Sequence, residues 1–87
     1  MQTTLKAYVI KKEQLSTILG INCRLEVDSI QSGVKNEYVC ATLRTMGGGY
    51  ICIVTWNSYN DFVICDVLEE CEQEFEKIKN SVEVEEV

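Results

Sequence analysis

The sequence predicts an α+β domain: an N-terminal helix, a three-stranded antiparallel β-meander and a C-terminal amphipathic helix packed on the sheet. Three observations carry this expectation. Residues 38–56, YVCATLRTMGGGYICIVTW, set two β-branched and aromatic runs on either side of three glycines, the pattern of a hairpin. Residues 21–28 alternate apolar and polar side chains, as a half-buried strand does. Leu68, Cys71, Phe75, Ile78 and Val82 recur at helical spacing, with Ile64 at the head of the stripe.

Taken in order, residues 4–20 allow two readings. Leu5, Ala7 and Val9 alternate with Lys6, Tyr8 and Ile10 as in a strand, followed by a short helix closed by Gly20. Alternatively Thr3 or Thr4 caps one helix running to Leu19, with Leu5, Tyr8, Val9, Leu15, Ile18 and Leu19 inward. The single helix is the reading adopted here, although the Val9–Ile10 pair is a weak point in a helix. Residues 28–36, DSIQSGVKN, read as a turn into the hairpin. Along residues 50–56 both alternating sets are largely apolar, which predicts a central strand covered on both faces. Gly47, Gly48 and Gly49 lead into a strand rather than a helix, so they read as a turn and not as a phosphate loop.

The C-terminal helix is expected to start at Ser58 or Asn60, with Asp61 completing a loose capping box. Lys77 and Lys79 lie toward its C-terminal end, where the helix dipole favours cations. The expected organisation is a single domain over residues 1–82 and a frayed acidic tail over residues 83–87. With 87 residues, such a chain buries roughly 60% of its unfolded surface and forms one core.

The net charge of −6 is concentrated at one end. Residues 1–68 balance acids against bases, whereas residues 69–87 carry Glu69, Glu70, Glu72, Glu74, Glu76, Glu83, Glu85 and Glu86 against only Lys77 and Lys79. Like charges four apart on a helix, such as Glu70/Glu74 and Glu72/Glu76, destabilise it slightly. The expected partner-binding residues are therefore Glu69, Glu70, Glu72, Glu74 and Glu76, meeting a basic protein in place of phosphates. A solvated face that keeps the protein soluble explains the same charges. A two-sided apolar sheet in so short a chain could also be completed by a second copy.

The five cysteines show no metal-binding spacing, and an odd count does not suit a disulfide framework. With no apolar run near the N-terminus long enough for a signal core or a membrane span, a cytoplasmic protein with reduced thiols is expected. Histidine is absent, which removes the most frequent general base and the most frequent metal ligand. No catalytic residue, cofactor site or metal site is expected. Cys65, near the expected helix start, is the one thiol placed for activation.

One segment resembles a known family. Residues 12–21, KEQLSTILGI, look like the first helix and turn of a helix-turn-helix, with Leu15 inward, small Ser16 at the close approach and Gly20 in the turn. The resemblance implies a winged-helix DNA-binding regulator whose wing is the hairpin. Against it, the following NCRLEVDSIQ alternates as a strand, with Glu26 where the family has an apolar residue. Only Arg24, Lys35 and Arg44 lie nearby for phosphates. In size and charge alone the chain is similar to phage-encoded inhibitors of host-defence nucleases. The leading expectation is a non-enzymatic adaptor or inhibitor that binds a basic, nucleic-acid-handling protein and not nucleic acid or membrane. DNA regulation and a thiol-dependent or small-ligand role for Cys65 are the alternatives.

Overall fold

The computed structural model describes residues 5–20, 23–32 and 37–87. The elements are β1 (Leu5–Lys11), a 3-10 turn (Lys12–Gln14), α1 (Leu15–Leu19), β2 (Cys23–Ser32), β3 (Glu37–Thr45) and β4 (Tyr50–Asn57). After them come β5 (Phe62–Leu68), a second 3-10 turn (Glu69–Cys71), α2 (Glu72–Lys79) and β6 (Glu85–Glu86). The strands form one six-stranded sheet in the order β2-β3-β4-β5-β1-β6, antiparallel at every step. The fold is mostly β, and this overturns the expected three-stranded meander behind an N-terminal helix.

Two segments account for the difference, and each is explained by the other. The chain from Leu5 to Lys11 is a strand because β5 gives it a complete antiparallel partner, from Leu5 opposite Leu68 to Lys11 opposite Phe62. Tyr8 and Ile10 then point into the core, at 2% and 1% exposure, and the β-branched Val9 and Ile10 sit where such side chains pack well. The Thr3 or Thr4 cap of the adopted helix reading lies outside the described residues. Residues 62–68 are likewise strand and not helix: Val63, Cys65 and Val67 are buried while Phe62 and Ile64 are exposed, a period of two that a short helical stripe through Ile64 and Leu68 had mimicked.

The expected helix therefore shrinks to α2. Ser58 and Asn60 close the β4–β5 connection instead of capping a helix: Ser58 Oγ accepts from the Glu37 amide at 3.1 Å, and Asn57 Oδ1 accepts from the amides of Tyr59 and Asn60. Strand β2 continues to Ser32, through half of the segment expected to turn; residues 33–36 lie outside the described ones. Residues 85 and 86, expected to fray, pair with Val9 and Tyr8, and the Val87 amide donates to the Ala7 carbonyl at 2.9 Å.

The hairpin between β3 and β4 turns at the glycines. Gly48 has φ +98, a conformation open to glycine and strained for other residues. Thr45 holds the turn, its Oγ1 accepting from the Gly49 amide at 2.9 Å.

Alternation of strand direction makes β1 parallel to β2, so the chain crosses the sheet between them. Strands β5 and β6 are parallel as well, with β1 between them and α2 in the connection. Ile18 of α1 and Phe75 and Ile78 of α2 join Tyr8, Ile10, Leu43, Val54, Cys65 and Val67 in one core, so both helices cover the same face. The central strand β4 is accordingly covered on one face only, with Cys52 and Val54 buried and Ile53 and Thr55 half-buried. Among the described residues no helix is long and apolar enough to cross a membrane.

Candidate functional site

The expected acidic helix is divided by the structure. Glu72 is turned toward the core: both its carboxylate oxygens accept from the Tyr8 hydroxyl, at 2.9 and 3.1 Å, and Lys79 Nζ stands 3.6 Å away. The same ammonium lies 4.5 Å from the centre of the Tyr8 ring, and the Tyr8 hydroxyl is the main cause that raises its pKa. Tyr8 stacks on Phe75 with centroids 4.8 Å apart. Glu72 therefore joins β1 to α2, with its side chain 24% exposed. Glu69, Glu70, Glu74 and Glu76 are exposed, but Glu74 pairs with Lys77 at 3.7 Å and Glu76 with Lys79 at 3.8 Å.

The thiols are placed for packing. Cys65 lies on β5 and is fully buried, which removes it as an accessible nucleophile. Cys52 is held far above the ordinary thiol range by its hydrogen bond to Cys65 and by burial. Burial raises Cys23, against the opposing effect of Lys77, and raises Cys71 beside Glu70 and Glu74. A reactive thiolate requires the opposite shift. Among the described residues no group of cysteines and carboxylates is arranged to hold a metal.

The winged-helix alternative loses its reading element. Residues 12–14 are a 3-10 turn and Leu15–Leu19 a five-residue helix, but Cys23–Ser32, where a recognition helix would lie, is an edge strand carrying Glu26 and Asp28.

The notable surface is the sheet face without helices. Registers give one row across all six strands: Ser29, Cys40, Thr55, Ile64, Val9 and Glu85 are successive neighbours. Tyr38 and Phe62, each two residues back along its own strand from Cys40 and Ile64, share that face. With Val9, Thr55, Asn57, Asn60 and Ile64 they line a groove of about 260 Å³. Tyr38, Phe62 and Ile64 are 47%, 52% and 45% exposed, so this groove offers aromatic and aliphatic surface to solvent. Exposed apolar side chains gathered in a groove make this face a candidate contact surface.

Phe62 also walls a second cavity of about 350 Å³, formed with Val9, Ile10, Lys11, Glu13, Gln14, Glu83 and Glu85. Three acidic residues, Glu13, Glu83 and Glu85, line it together with Lys11. They come from distant parts of the chain: Glu13 from the turn after β1, Glu83 and Glu85 from the segment that returns beside β1. The apolar groove thus continues around Phe62 into an acidic cleft. Neither feature was expected from the sequence, because both depend on the pairing of β1 with β5 and β6. The period-two pattern of Phe62 and Ile64 against Val63, Cys65 and Val67 was the available signal.

No protein-family model, curated protein or solved structure matches the chain.

Proposed function

We propose that this protein is a non-enzymatic binding module that takes a basic segment of a protein partner along its uncovered sheet face. An apolar side chain of the segment packs between Tyr38 and Phe62, and a neighbouring lysine or arginine enters the cleft of Glu13, Glu83 and Glu85. The observation that supports this reading is the position of Phe62, which walls the apolar groove and the acidic cleft at once.

The physical terms agree in sign. Burying one large apolar side chain contributes roughly 1.5–3 kcal/mol, and carboxylates around a guanidinium or ammonium add charge-assisted hydrogen bonds. The net charge of −6 steers a basic partner toward the molecule and repels phosphates. Glu69, Glu70, Glu74 and Glu76 belong to that long-range field. A module that occupies a partner's basic surface acts as an adaptor or an inhibitor, including toward proteins that handle nucleic acid.

Amide chemical-shift mapping tests the reading with a short peptide of alternating leucine and lysine. The expected perturbations cluster at Val9, Phe62, Ile64, Glu83 and Glu85, and Phe62→Ala abolishes them. Perturbations confined to Glu70, Glu74 and Glu76, or a response unaffected by Phe62→Ala, would place the contact elsewhere.

A further inference from the structure

Strand β2 is ten residues long and forms an edge of the sheet, so one side of its backbone presents N–H and C=O groups for pairing with another strand. On the uncovered face Arg24 lies directly opposite Arg44, a like-charge pair that is unfavourable on its own. Arg44 takes Glu26, Nε to Oε2 at 3.3 Å, and also donates to the Gly48 carbonyl at 3.2 Å. Among the described residues no carboxylate forms an ion pair with Arg24. On the helix-side face Val27, opposite Ala41, remains 50% exposed.

We infer that a second copy of this chain adds to the sheet at β2, antiparallel, about a two-fold axis through Leu25. The segment 23–27, Cys-Arg-Leu-Glu-Val, is self-complementary in that register. Leu25 meets the partner's Leu25, and Cys23 meets the partner's Val27. Arg24 meets the partner's Glu26 and the reverse, so each unpaired guanidinium gains a carboxylate and each exposed Val27 gains a neighbour. The register shift between Val27 and Ser29 limits the paired stretch. Asp28, the extra residue there, accepts from the Thr42 hydroxyl at 2.6 Å. Five paired residues make a small interface, so the dimer forms at high protein concentration. This edge is distinct from the groove at Phe62, and the two readings stand or fall separately.

Sedimentation velocity from about 10 µM to about 1 mM tests the inference. The native chain is expected to shift from monomer to dimer over that range. R24E and E26R, each turning two attractive pairs into two repulsive ones, weaken the dimer about tenfold, and R24E/E26R together restore it to within about threefold. A chain that stays monomeric at the top concentration overturns the inference, as does a dimer indifferent to the single swaps or not rescued by the double one. Amide exchange on the native chain provides a readout without variants. Exchange over residues 23–27 slows between dilute and concentrated samples if β2 pairs with its copy, and an unchanged rate rejects the pairing.

Discussion

The Tyr8 hydroxyl donates to Glu72 Oε1 at 2.9 Å, joining the first strand to the last helix across 64 residues of sequence. Around this bond the Phe75 ring stacks on Tyr8 and Lys79 covers its other surroundings. The contact explains why an otherwise repulsive run of glutamates forms a helix: one of them is an acceptor that the fold needs.

Replacing Tyr8 by Phe should therefore destabilise the protein by about 1–2 kcal/mol, the contribution of a hydrogen bond to a charged acceptor that solvent can partly replace. Phe75→Ala should cost about 3–5 kcal/mol, since the ring is fully buried. Glu70→Ala, on the exposed side, should change stability by less than about 0.5 kcal/mol. Urea denaturation of the three variants checks the ranking.

The glycines of the hairpin should respond unequally. Gly48 has φ +98 and its added Cβ would lie 3.3 Å from the Arg24 guanidinium, whereas at Gly47 nothing lies closer than 4.0 Å. Gly48→Ala should cost about 1–2 kcal/mol through the left-handed backbone alone, and Gly47→Ala should be near neutral. Thermal melts of the two variants separate these outcomes.

Thiol labelling of the folded protein should follow burial. Cys40 and Cys71, half-buried, are expected to react with iodoacetamide first, while Cys52 and Cys65, fully buried, react only in denaturant. Mass spectrometry of timed samples reports the order, and early modification of Cys65 would contradict the placement of β5.

Stability should fall on the alkaline side. Hydrogen bonding to Cys65 and burial raise Cys52, and the Tyr8 hydroxyl raises Lys79, so the folded chain holds both protons more tightly than the unfolded chain does. The associated stability is fully present below the ordinary values of 9.0 for the thiol and 10.5 for the lysine. It is lost as pH rises through the higher folded values. The urea midpoint should be flat near neutrality and decline above pH 9.0, less steeply in Cys52→Ala.

The sequence made the β3–β4 hairpin and the alternation of β2 legible because both are local: turn chemistry and period two are written within a few residues. It also marked the buried positions of α2, Phe75 and Ile78. What it obscured was non-local. Leu5–Lys11 reads as either helix or strand until Phe62–Leu68 is known to lie beside it, and residues 62–68 imitate the start of a helical stripe because Ile64 and Leu68, four apart, fit both periods. Since β1, β5 and β6 bring Phe62, Glu13, Glu83 and Glu85 together, the groove and its acidic end vanish from view with that one pairing. Charge was readable as a total, but its division between a structural Glu72 and outward carboxylates required the position of Tyr8.

The most direct test of the proposed function is a fluorescence titration of a leucine-lysine peptide at low salt, comparing E13Q/E83Q/E85Q with E70Q/E74Q/E76Q. Both variants remove three negative charges, so they change the long-range field by the same amount and differ only in the site they alter. Binding through the groove predicts a loss of about tenfold or more for the first variant, in line with charge-assisted contacts, and a change of less than about threefold for the second. Equal losses, or a larger loss on changing the helix, would contradict a binding site built around Phe62.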